Sequence, residues 1–350
     1  MIIIFAFLSS LFLSFVFIEV FKRVFRKINI LDNPKKYGKK RDPVPYSMGI
    51  IFFFLFFIIS YFFVDHNSKL YLIWIFGLII TIISFFDDLL DVNAKIRLFV
   101  QIIIGATIGI TSIKIGYISN IFGGVADLQT YSFFVLGYEI YIIPLIFTII
   151  WYVFIFNSLN WTDGIPGNTS GISVISFFII FLLGVILFYK DNYEGGVENA
   201  IFIMTMAIIL VGIIIPFWFY DVKEKILMGD SGTMFLGFML ATLAIISGGK
   251  IATVLVVFGI YSVDAVYVIL KRILKKKSPL NRDFTHLHHR LLDKGLTNKQ
   301  ILTLIYSLSF FFGITALFLD KVGKIIVFGI IVFVVVFINN IVGEFKKFKK

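Results

Sequence analysis

The feature that most constrains this chain is a succession of apolar stretches, each close to the length of a membrane-spanning helix. Crossing the hydrocarbon core takes about 20 residues of α-helix, and eleven such stretches follow one another along 350 residues. They cover residues 2–21, 47–64, 71–86, 97–113, 140–156, 171–188, 200–218, 231–247, 251–270, 301–319 and 324–341. A soluble fold would leave too much of this surface in water. We therefore predict an all-α polytopic membrane protein with about eleven transmembrane helices.

The positions of Lys and Arg predict the orientation of these spans. Basic residues concentrate on the cytoplasmic side of membrane proteins. Here 26 of the 32 fall in alternate connections, the first of which carries nine between Lys22 and Arg41. The other connections hold only Lys69, Lys114, Lys190, Lys250, Lys321 and Lys324. We expect an N-terminus outside, a cytoplasmic C-terminus and a multi-pass protein of the cell membrane.

Two other interpretations of the charge pattern are disfavoured. A signal peptide carries its positive charges before its apolar core, whereas residues 2–20 are followed by them. A net charge of +11 could indicate nucleic-acid binding, but the basic residues stand beside apolar stretches rather than on a soluble face. The absence of cysteine excludes disulfides, thiolate metal ligands and cysteine nucleophiles.

The longest connection on the predicted outside is residues 114–139. It contains Gly123-Gly124 and strand-like runs such as residues 131–136. We expect a small extracytoplasmic hairpin there.

The first polar cluster is Asp87-Asp88-Leu89-Leu90-Asp91, at the inner end of the third span. If the helix continues through it, Asp91 lies one turn from both Asp87 and Asp88, so three carboxylates share one face. Like charges repel unless a cation is bound, and hard oxygen ligands suit Mg²⁺ or Mn²⁺. The alternative is a solvated helix end.

Two glycine-containing clusters follow in later cytoplasmic connections. Residues 157–168 join Asn157, Asn160 and Asp163 to glycines that permit tight turns and close approach of backbone N–H groups to a ligand. Residues 228–233 open the eighth span with Asp230, which is either the N-cap of that helix or a ligand for a metal that bridges to phosphate. These two roles are compatible.

The fourth cluster lies in the basic loop after the ninth span. Three of the four histidines in the chain, His286, His288 and His289, fall within four residues. A lone histidine is usually structural, but this density favours function. A zinc site would need carboxylates in place of cysteine, so a grip on phosphate oxygens together with Arg282 and Arg290 is the better interpretation.

Two further features have simpler explanations. A carboxylate within a span is costly, and we expect Asp264 to pair with Lys271 or with a neighbouring helix. Residues 32–49, rich in Lys, Arg and Pro, are sufficiently explained as a juxtamembrane loop attracted to anionic lipid headgroups.

Together these residues resemble the polyprenyl-phosphate N-acetylhexosamine-1-phosphate transferase family, in the same order, across residues 32–295. The family's twin aspartates, its Asn-x-x-Asn-x-x-Asp-Gly element and its Gly-Asp-x-Gly aspartate match Asp87, Asp88, Asn157, Asn160, Asp163 and Asp230. The His-x-His-His-Arg-Leu-Leu sequence that begins at His286 is similar to the branch that transfers GlcNAc-1-phosphate onto undecaprenyl phosphate.

The resemblance implies a single transmembrane transferase domain over residues 1–350, with its active site at the cytoplasmic face. It implies a Mg²⁺ ion, with Mn²⁺ as the alternative, on Asp230 and Asp88. The implied catalytic residues are Asp87, Asp88, Asp163, His286, His288 and His289, and the implied substrate-binding residues are Asn157, Asn160, Arg282 and Arg290. The partners would be a UDP-N-acetyl sugar, a polyprenyl phosphate and the membrane, without nucleic acid, and a homodimer is left open.

The implied reaction is transfer of an N-acetylhexosamine 1-phosphate, with GlcNAc-1-phosphate favoured, from a UDP-sugar to the lipid phosphate with release of UMP. Two other classes of membrane protein are alternatives to this transferase. An intramembrane prenyltransferase would need a second aspartate-rich motif in a later loop. A transporter of an anionic substrate would place ionisable residues near the bilayer midplane. Two positions depart from the family, Pro166 in place of an aspartate and Leu227 in place of an aromatic, and both belong to the nucleotide end of the pocket in relatives.

Overall fold

A computed structural model describes residues 1–37, 40–120, 123–135, 137–190, 196–248, 250–276, 278 and 285–344. Within these residues the chain forms thirteen α-helices, four short strands and a 3₁₀ helix at Pro34–Tyr37. In chain order the helices and strands are α1 Ile2–Lys27, α2 Gly49–Phe63, α3 Ser68–Leu90, α4 Ala94–Gly109, β1 Tyr117–Ser119, β2 Val125–Asp127, β3 Ser132–Val135, β4 Tyr138–Tyr141, α5 Ile142–Asn160, α6 Asn168–Phe188, α7 Gly196–Asp221, α8 Gly229–Ile246, α9 Ile251–Val257, α10 Gly259–Leu274, α11 Leu287–Asp293, α12 Asn298–Phe318 and α13 Lys321–Glu344.

The predicted class of all-α polytopic membrane protein is confirmed. Each apolar stretch of the sequence falls on a helix or, for the ninth stretch, on the pair α9 and α10. Eight described helices are long and apolar enough to cross a membrane, or nine if the bent pair α9 and α10 is one span. The helices α2 and α4 have 15 and 16 residues, fewer than the 20 or so that cross a bilayer. The number eleven is therefore not confirmed, and the orientation stays a prediction.

The chain divides into two compact units, each made of two segments. Unit 1 comprises Met1–Val92 and Pro166–Leu243, and unit 2 comprises Asn93–Ile165 and Ala244–Lys350. The expectation of a single domain stays a prediction.

Unit 1 is organised around the long, buried helix α7, against which α1, α2 and α6 pack. Small residues allow the close approach, as is usual between membrane helices. A Cβ at Gly212 would lie 2.6 Å from the Cβ of Ser10. In the same interface the buried Ser14 hydroxyl donates a hydrogen bond of 2.6 Å to the Ile213 carbonyl. The hydroxyl of Ser14 is thus satisfied by α7 instead of by water.

Backbone hydrogen bonds join the segment before α2 to the segment before α8. The Leu227 N–H donates to the Pro45 carbonyl at 2.9 Å, the Met48 N–H to the Leu227 carbonyl at 3.2 Å, and the Gly49 N–H to the Met228 carbonyl at 3.0 Å. The loop that was explained by lipid attraction alone therefore has a second, structural role. It places residue 47 beside the start of α8.

In unit 2, α4 packs on α5, and α10 contacts α5, α12 and α13. The predicted ninth span is broken near Phe258, where α9 and α10 meet at 84°. A Cβ at Gly259 would lie 2.9 Å from the Cδ1 of Ile331 in α13. The ninth apolar stretch, residues 251–270, therefore forms two helices, and Gly259 approaches α13 closely at the bend between them.

A hairpin was predicted in residues 114–139, and the structure forms two hairpins in this connection. Strand β1 pairs antiparallel with β2, and β3 with β4, where Phe133 faces Ile140 and Val135 faces Tyr138. Both hairpins belong to the connection between α4 and α5, and the second leads directly into α5. Leu136 lies outside the described residues.

The close contact of α2 with the start of α8 gives a prediction for stability. A Cβ at Gly49 would overlap the backbone of Gly232, and neither helix backbone can yield as a flexible side chain would. Overpacking of this kind costs about 1 to 3 kcal/mol or more. We expect Gly49→Ala to lower the unfolding temperature of the detergent-solubilised protein, measured by its thermal melting curve.

The matched control is Gly329→Ala in α13, where a Cβ would meet nothing within 4 Å. That substitution should be neutral or slightly stabilising, because alanine favours helices over glycine by about 0.5 to 1 kcal/mol. Equal melting temperatures for the two variants would contradict the close contact.

Candidate functional site

The predicted twin aspartates lie at the end of α3, which stops at Leu90. Asp91 adopts a left-handed conformation, with φ 53° and ψ 59°, and is the C-cap of the helix. The Oδ1 of Asp87 accepts a hydrogen bond of 2.8 Å from the N–H of Val92. The helix therefore does not continue through Asp91, and the condition for three carboxylates on one helical face is not met.

Asp88 reaches the start of α8. Its Oδ1 accepts a hydrogen bond of 2.7 Å from the N–H of Asp230, and its Oδ2 accepts one of 3.1 Å from the N–H of Ser231. The first N–H groups of a helix have no partner inside the helix, and a negative charge there is favourable. Two predicted site residues that are 142 positions apart are thus joined. Asp88 caps α8, which begins at Gly229. The alternative of Asp230 as the N-cap was therefore wrong, and Asp230 lies in the first turn of the helix.

A left-handed backbone at Gly229, with φ 74°, makes this contact possible. A Cβ at that position would lie 2.5 Å from the Oδ2 of Asp88 and 2.9 Å from the Cα of Ser47. Only glycine fits such a conformation without cost. Gly229, which has no Cβ, therefore allows Asp88 to approach the start of α8.

Ser47 also belongs to this cluster, although no sequence pattern predicted it. Its hydroxyl donates a hydrogen bond of 2.5 Å to the Oδ2 of Asp88 and lies 3.0 Å from the Oγ of Ser231. Ser47 is buried and has a positive φ of 62°, an unusual conformation for a residue with a side chain. No local pattern marks it, because its position depends on the pairing of residues 45–49 with residues 227–228.

Asp221, at the end of α7, was also missed. Its Oδ2 accepts hydrogen bonds of 2.6 Å from the Ser170 hydroxyl and 3.2 Å from the Gly167 N–H. Gly167 is the N-cap position of α6 and offers no side chain of its own. Asp221 therefore supplies the capping carboxylate that the local sequence lacks.

Unit 2 holds the asparagine-rich turn that follows α5. The Nδ2 of Asn157 donates to the Oε1 of the buried Gln101 at 2.7 Å and to the Val153 carbonyl at 2.7 Å. Asn160 is partly exposed, and Asp163 is exposed. The amide nitrogen of Asn157 is thus used between α5 and α4, whereas Asn160 and Asp163 present surface to solvent. The roles proposed for all three in substrate binding or catalysis stay predictions.

The same turn contacts the histidine loop, residues 286–290, within unit 2. The Trp161 and His286 rings stack with centroids 5.3 Å apart, and those of His288 and His289 lie 4.2 Å apart. A Cβ at Gly164 would overlap the Nε2 of His288 and lie 2.7 Å from the Nε2 of His289. Two motifs more than a hundred residues apart in sequence are therefore in contact.

Asp264 of α10 anchors the histidine loop. Its Oδ2 lies 3.0 Å from the Nδ1 of His286 and accepts a hydrogen bond of 3.0 Å from the N–H of Leu287, while its Oδ1 accepts one of 2.6 Å from Arg290. Of the two expected partners, the neighbouring helix is therefore confirmed. The Nζ of Lys271 instead lies 5.4 Å from the centroid of the Tyr267 ring.

This anchoring bears on the predicted phosphate contacts of the loop. The Arg290 guanidinium is buried, ion-paired with Asp264 and placed 5.2 Å from the Tyr267 ring centroid. A phosphate would have to share it with this ion pair, so its role in substrate binding stays a prediction. Arg282 lies outside the described residues.

His288 is buried, and neither ring nitrogen has a hydrogen-bonding partner within the described part of the chain. Burial lowers the pKa of His288 well below its usual value, and the nearby charges of His289, His286 and Arg290 lower that pKa further. The ring is therefore neutral at pH 7. A neutral imidazole offers one donor and one acceptor to a ligand.

The oxygen-rich end of unit 1 suits a hard divalent cation. The carboxylate of Asp88 binds the backbone of Asp230 itself, so two acidic residues meet beside the hydroxyls of Ser47 and Ser231. Carboxylates and phosphate oxygens are the usual ligands of Mg²⁺. Over the described ranges no three Asp, Glu or His side chains are grouped as metal ligands, so substrate oxygens and water would complete the shell. That the aspartates and the histidines surround one cation stays a prediction.

The buried neutral histidine gives a prediction with a definite sign. The unfolded chain has an ordinary imidazole pKa of about 6.5, and folded His288 has a lower one. The unfolded state then binds more protons as the pH falls, so stability decreases below about pH 6.5. We expect His288→Gln to reduce the drop in melting temperature between about pH 7 and pH 5, by the equivalent of about 1 kcal/mol or more.

The control is His66→Gln, which changes an exposed histidine in the turn between α2 and α3. It should keep the slope of melting temperature against pH that the wild type shows. Identical slopes for His288→Gln and wild type would show that His288 is not held neutral by burial.

Comparison with known proteins places this sequence in a family. Residues 70–248 match the glycosyl transferase family 4. The chain is 27% identical to a probable undecaprenyl-phosphate N-acetylglucosaminyl 1-phosphate transferase of Bacillus subtilis, over 99% of this chain and 95% of that protein. It is 30% identical to the undecaprenyl-phosphate alpha-N-acetylglucosaminyl 1-phosphate transferase of Escherichia coli K12, over 85% of this chain and 79% of that protein. The corresponding transferase of Salmonella typhimurium is 29% identical over the same shares of the two chains.

The match extends from α3 to the end of α8 and so includes Asp87, Asp88, Asp163 and Asp230. It gives no support to an unrelated prenyltransferase or transporter. The chain belongs to the glycosyl transferase family 4, a family of membrane phosphotransferases.

Proposed function

We propose that this protein transfers N-acetylglucosamine 1-phosphate from UDP-N-acetylglucosamine to a polyprenyl phosphate at the cytoplasmic membrane face and releases UMP. The observation that carries the proposal is the cluster in which Asp88 binds the first turn of α8 beside Asp230. The names of the relatives support the lipid acceptor and the sugar phosphate. The excess of basic residues on alternate connections supports the cytoplasmic face.

Phosphoryl transfer depends mainly on positioning and on neutralising charge. In this proposal Asp230 and Asp88 hold Mg²⁺, which supplies positive charge for the diphosphate of the donor. Asp230 is partly exposed and so can reach a ligand. Asp88 is fixed by three hydrogen bonds, so it acts as a rigid support for the turn that carries Asp230.

The acceptor phosphate needs positioning more than deprotonation. An alkyl phosphate has a second pKa of about 6, so it is largely dianionic at pH 7. The adjacent aspartate, Asp87, is held at the end of α3 by its bond to Val92. We assign it to orienting the acceptor. The apolar tail of a polyprenyl phosphate would remain among the lipid-facing side chains, which accounts for an enzyme embedded in the membrane.

We assign donor recognition to the turn and the histidine loop of unit 2. Asn160, Asp163 and His289 retain exposed surface, and neutral His288 can both donate and accept a hydrogen bond. Pro166 and Leu227, the two positions that depart from the family pattern, belong to the nucleotide end of the pocket in relatives. The nature of the sugar is therefore the part of the proposal that a substrate panel must test.

The test of the activity is UMP release by the purified protein with Mg²⁺. We expect release from UDP-N-acetylglucosamine only when undecaprenyl phosphate is present, with a radiolabelled sugar appearing in the organic phase. UDP-glucose, which lacks the N-acetyl group, and undecaprenol, which lacks the phosphate, are the matched controls. UMP release without lipid phosphate, or equal use of UDP-glucose, would contradict the proposal.

The test of the metal assignment is Asp230→Asn. The loss of one electrostatic stabiliser of a transition state commonly costs about 10²- to 10³-fold in rate, and we expect a loss of at least that size. Because Mg²⁺ stabilises the state that binds it, it should also raise the melting temperature of the wild type and not that of the variant. Asp293→Asn, in the last turn of α11, is the control. Full activity in Asp230→Asn would remove the assignment.

A further inference from the structure

A buried carboxylate on α10 contacts three residues of the histidine loop. Asp264 has no exposed surface, and it binds the ring of His286, the backbone N–H of Leu287 and the guanidinium of Arg290. An ion pair alone would need only Arg290. The two additional contacts, each 3.0 Å long, fix the start of α11 and the ring before it.

The contact with His286 determines which ring nitrogen carries a hydrogen. Nδ1 lies 3.0 Å from an oxygen of Asp264, and a carboxylate can only accept. Nδ1 must therefore be protonated, which leaves Nε2 with its lone pair when the ring is neutral. A second group that orients a histidine in this way fixes its tautomer and its ring plane.

The charge of the Asp264 carboxylate is balanced by Arg290 alone. Asp264 contributes one negative charge and Arg290 one positive charge, and the side chains of both are buried. Removing one member of a buried pair leaves the other uncompensated, which is strongly unfavourable. Arg290 thus compensates the charge of the Asp264 carboxylate, whose two oxygens contact Arg290 and His286.

The ring of His286 is held on its other side by the turn after α5. It stacks on Trp161 with an interplanar angle of 26°, and it lies nearly parallel to His288, with an interplanar angle of 9°. Because neither nitrogen of His288 has a hydrogen-bonding partner in the described chain, no such bond places His288. Its position depends on the anchored backbone at Leu287 and on ring packing.

We propose that Asp264 is a positioning residue of the transferase, which holds His286 in the Nδ1–H tautomer and fixes the loop that carries His288. The proposal deepens the function above and rests on it for the catalytic consequence only. The tautomer itself is a property of the protein without substrate, so the two can be tested separately.

The experiment uses the full-length protein labelled with ¹⁵N-histidine in detergent micelles. The chain has only four histidines, so single His→Gln variants assign every signal. At about pH 9, well above the usual histidine pKa of about 6.5, neutral rings show one protonated and one unprotonated nitrogen at well-separated shifts. We expect the Nδ1 of His286 to be the protonated nitrogen in the wild type. Protonation on Nε2 would overturn the proposal.

Asp264→Asn and Arg290→Gln then separate the tautomer from the ion pair. In Asp264→Asn the remaining carbonyl oxygen should face Arg290, so the amide group would donate to Nδ1 of His286 and the proton should move to Nε2. Arg290→Gln keeps the carboxylate, so it should lower the melting temperature without changing the tautomer. Asp221→Asn, the same change at a buried carboxylate of unit 1, should leave all histidine signals in place. An unchanged tautomer in a folded Asp264→Asn would overturn the proposal.

The kinetic consequence is a loss of kcat of about 10- to 100-fold in Asp264→Asn, the size seen when a group that orients a functional histidine is removed, with the KM for the nucleotide sugar changed less than kcat. If the wild type shows the Nδ1–H tautomer but no transferase activity, the proposed function fails and the placement by Asp264 stands. If activity is present but the tautomer is Nε2–H, the placement fails and the function stands.

Discussion

The carboxylate of Asp88 accepts hydrogen bonds from the backbone of Asp230 and Ser231 and from the hydroxyl of Ser47. This single group joins the end of α3, the segment before α2 and the start of α8. It supplies a partner for two N–H groups in the first turn of α8, those of Asp230 and Ser231. The left-handed backbones of Gly229 and Ser47 are the conformational consequence of bringing these three segments together.

Within the described residues, three aspartates each accept a hydrogen bond from the N-terminal turn of a helix to which they do not belong. Asp88 binds the N-terminal turn of α8, Asp221 that of α6, and Asp264 that of α11. At α6 and α11 the N-cap residue provides no capping hydrogen bond of its own. A distant aspartate satisfies free N–H groups and interacts favourably with the positive end of the helix. Each helix start near a candidate site is therefore fixed by a residue from another element, which gives the loops definite positions.

The sequence predicted most of the helices but few of the residues that hold the candidate site residues in place. The apolar stretches predicted every helix from α1 to α8, because a span in lipid must form its hydrogen bonds internally. Motif spacing brought out Asp88, Asp230 and His288. It did not find Ser47, because a serine in a proline-rich loop has no local signature. It gave Asp264 only an uncertain partner, since a buried charge indicates that a partner exists but not which one.

The sequence by itself determined the membrane environment, the order of the helices and the chemical types available to the site. These properties follow from hydropathy and composition, which are additive along the chain. Tertiary structure alone decided where α3 ends, where α9 turns into α10, and which donors each buried aspartate accepts. Such choices depend on close contacts between residues distant in sequence, such as Gly259 with Ile331 and Asp88 with the first turn of α8. A single hydrogen bond or a glycine at such a contact leaves no periodic pattern in the sequence from which it could be predicted.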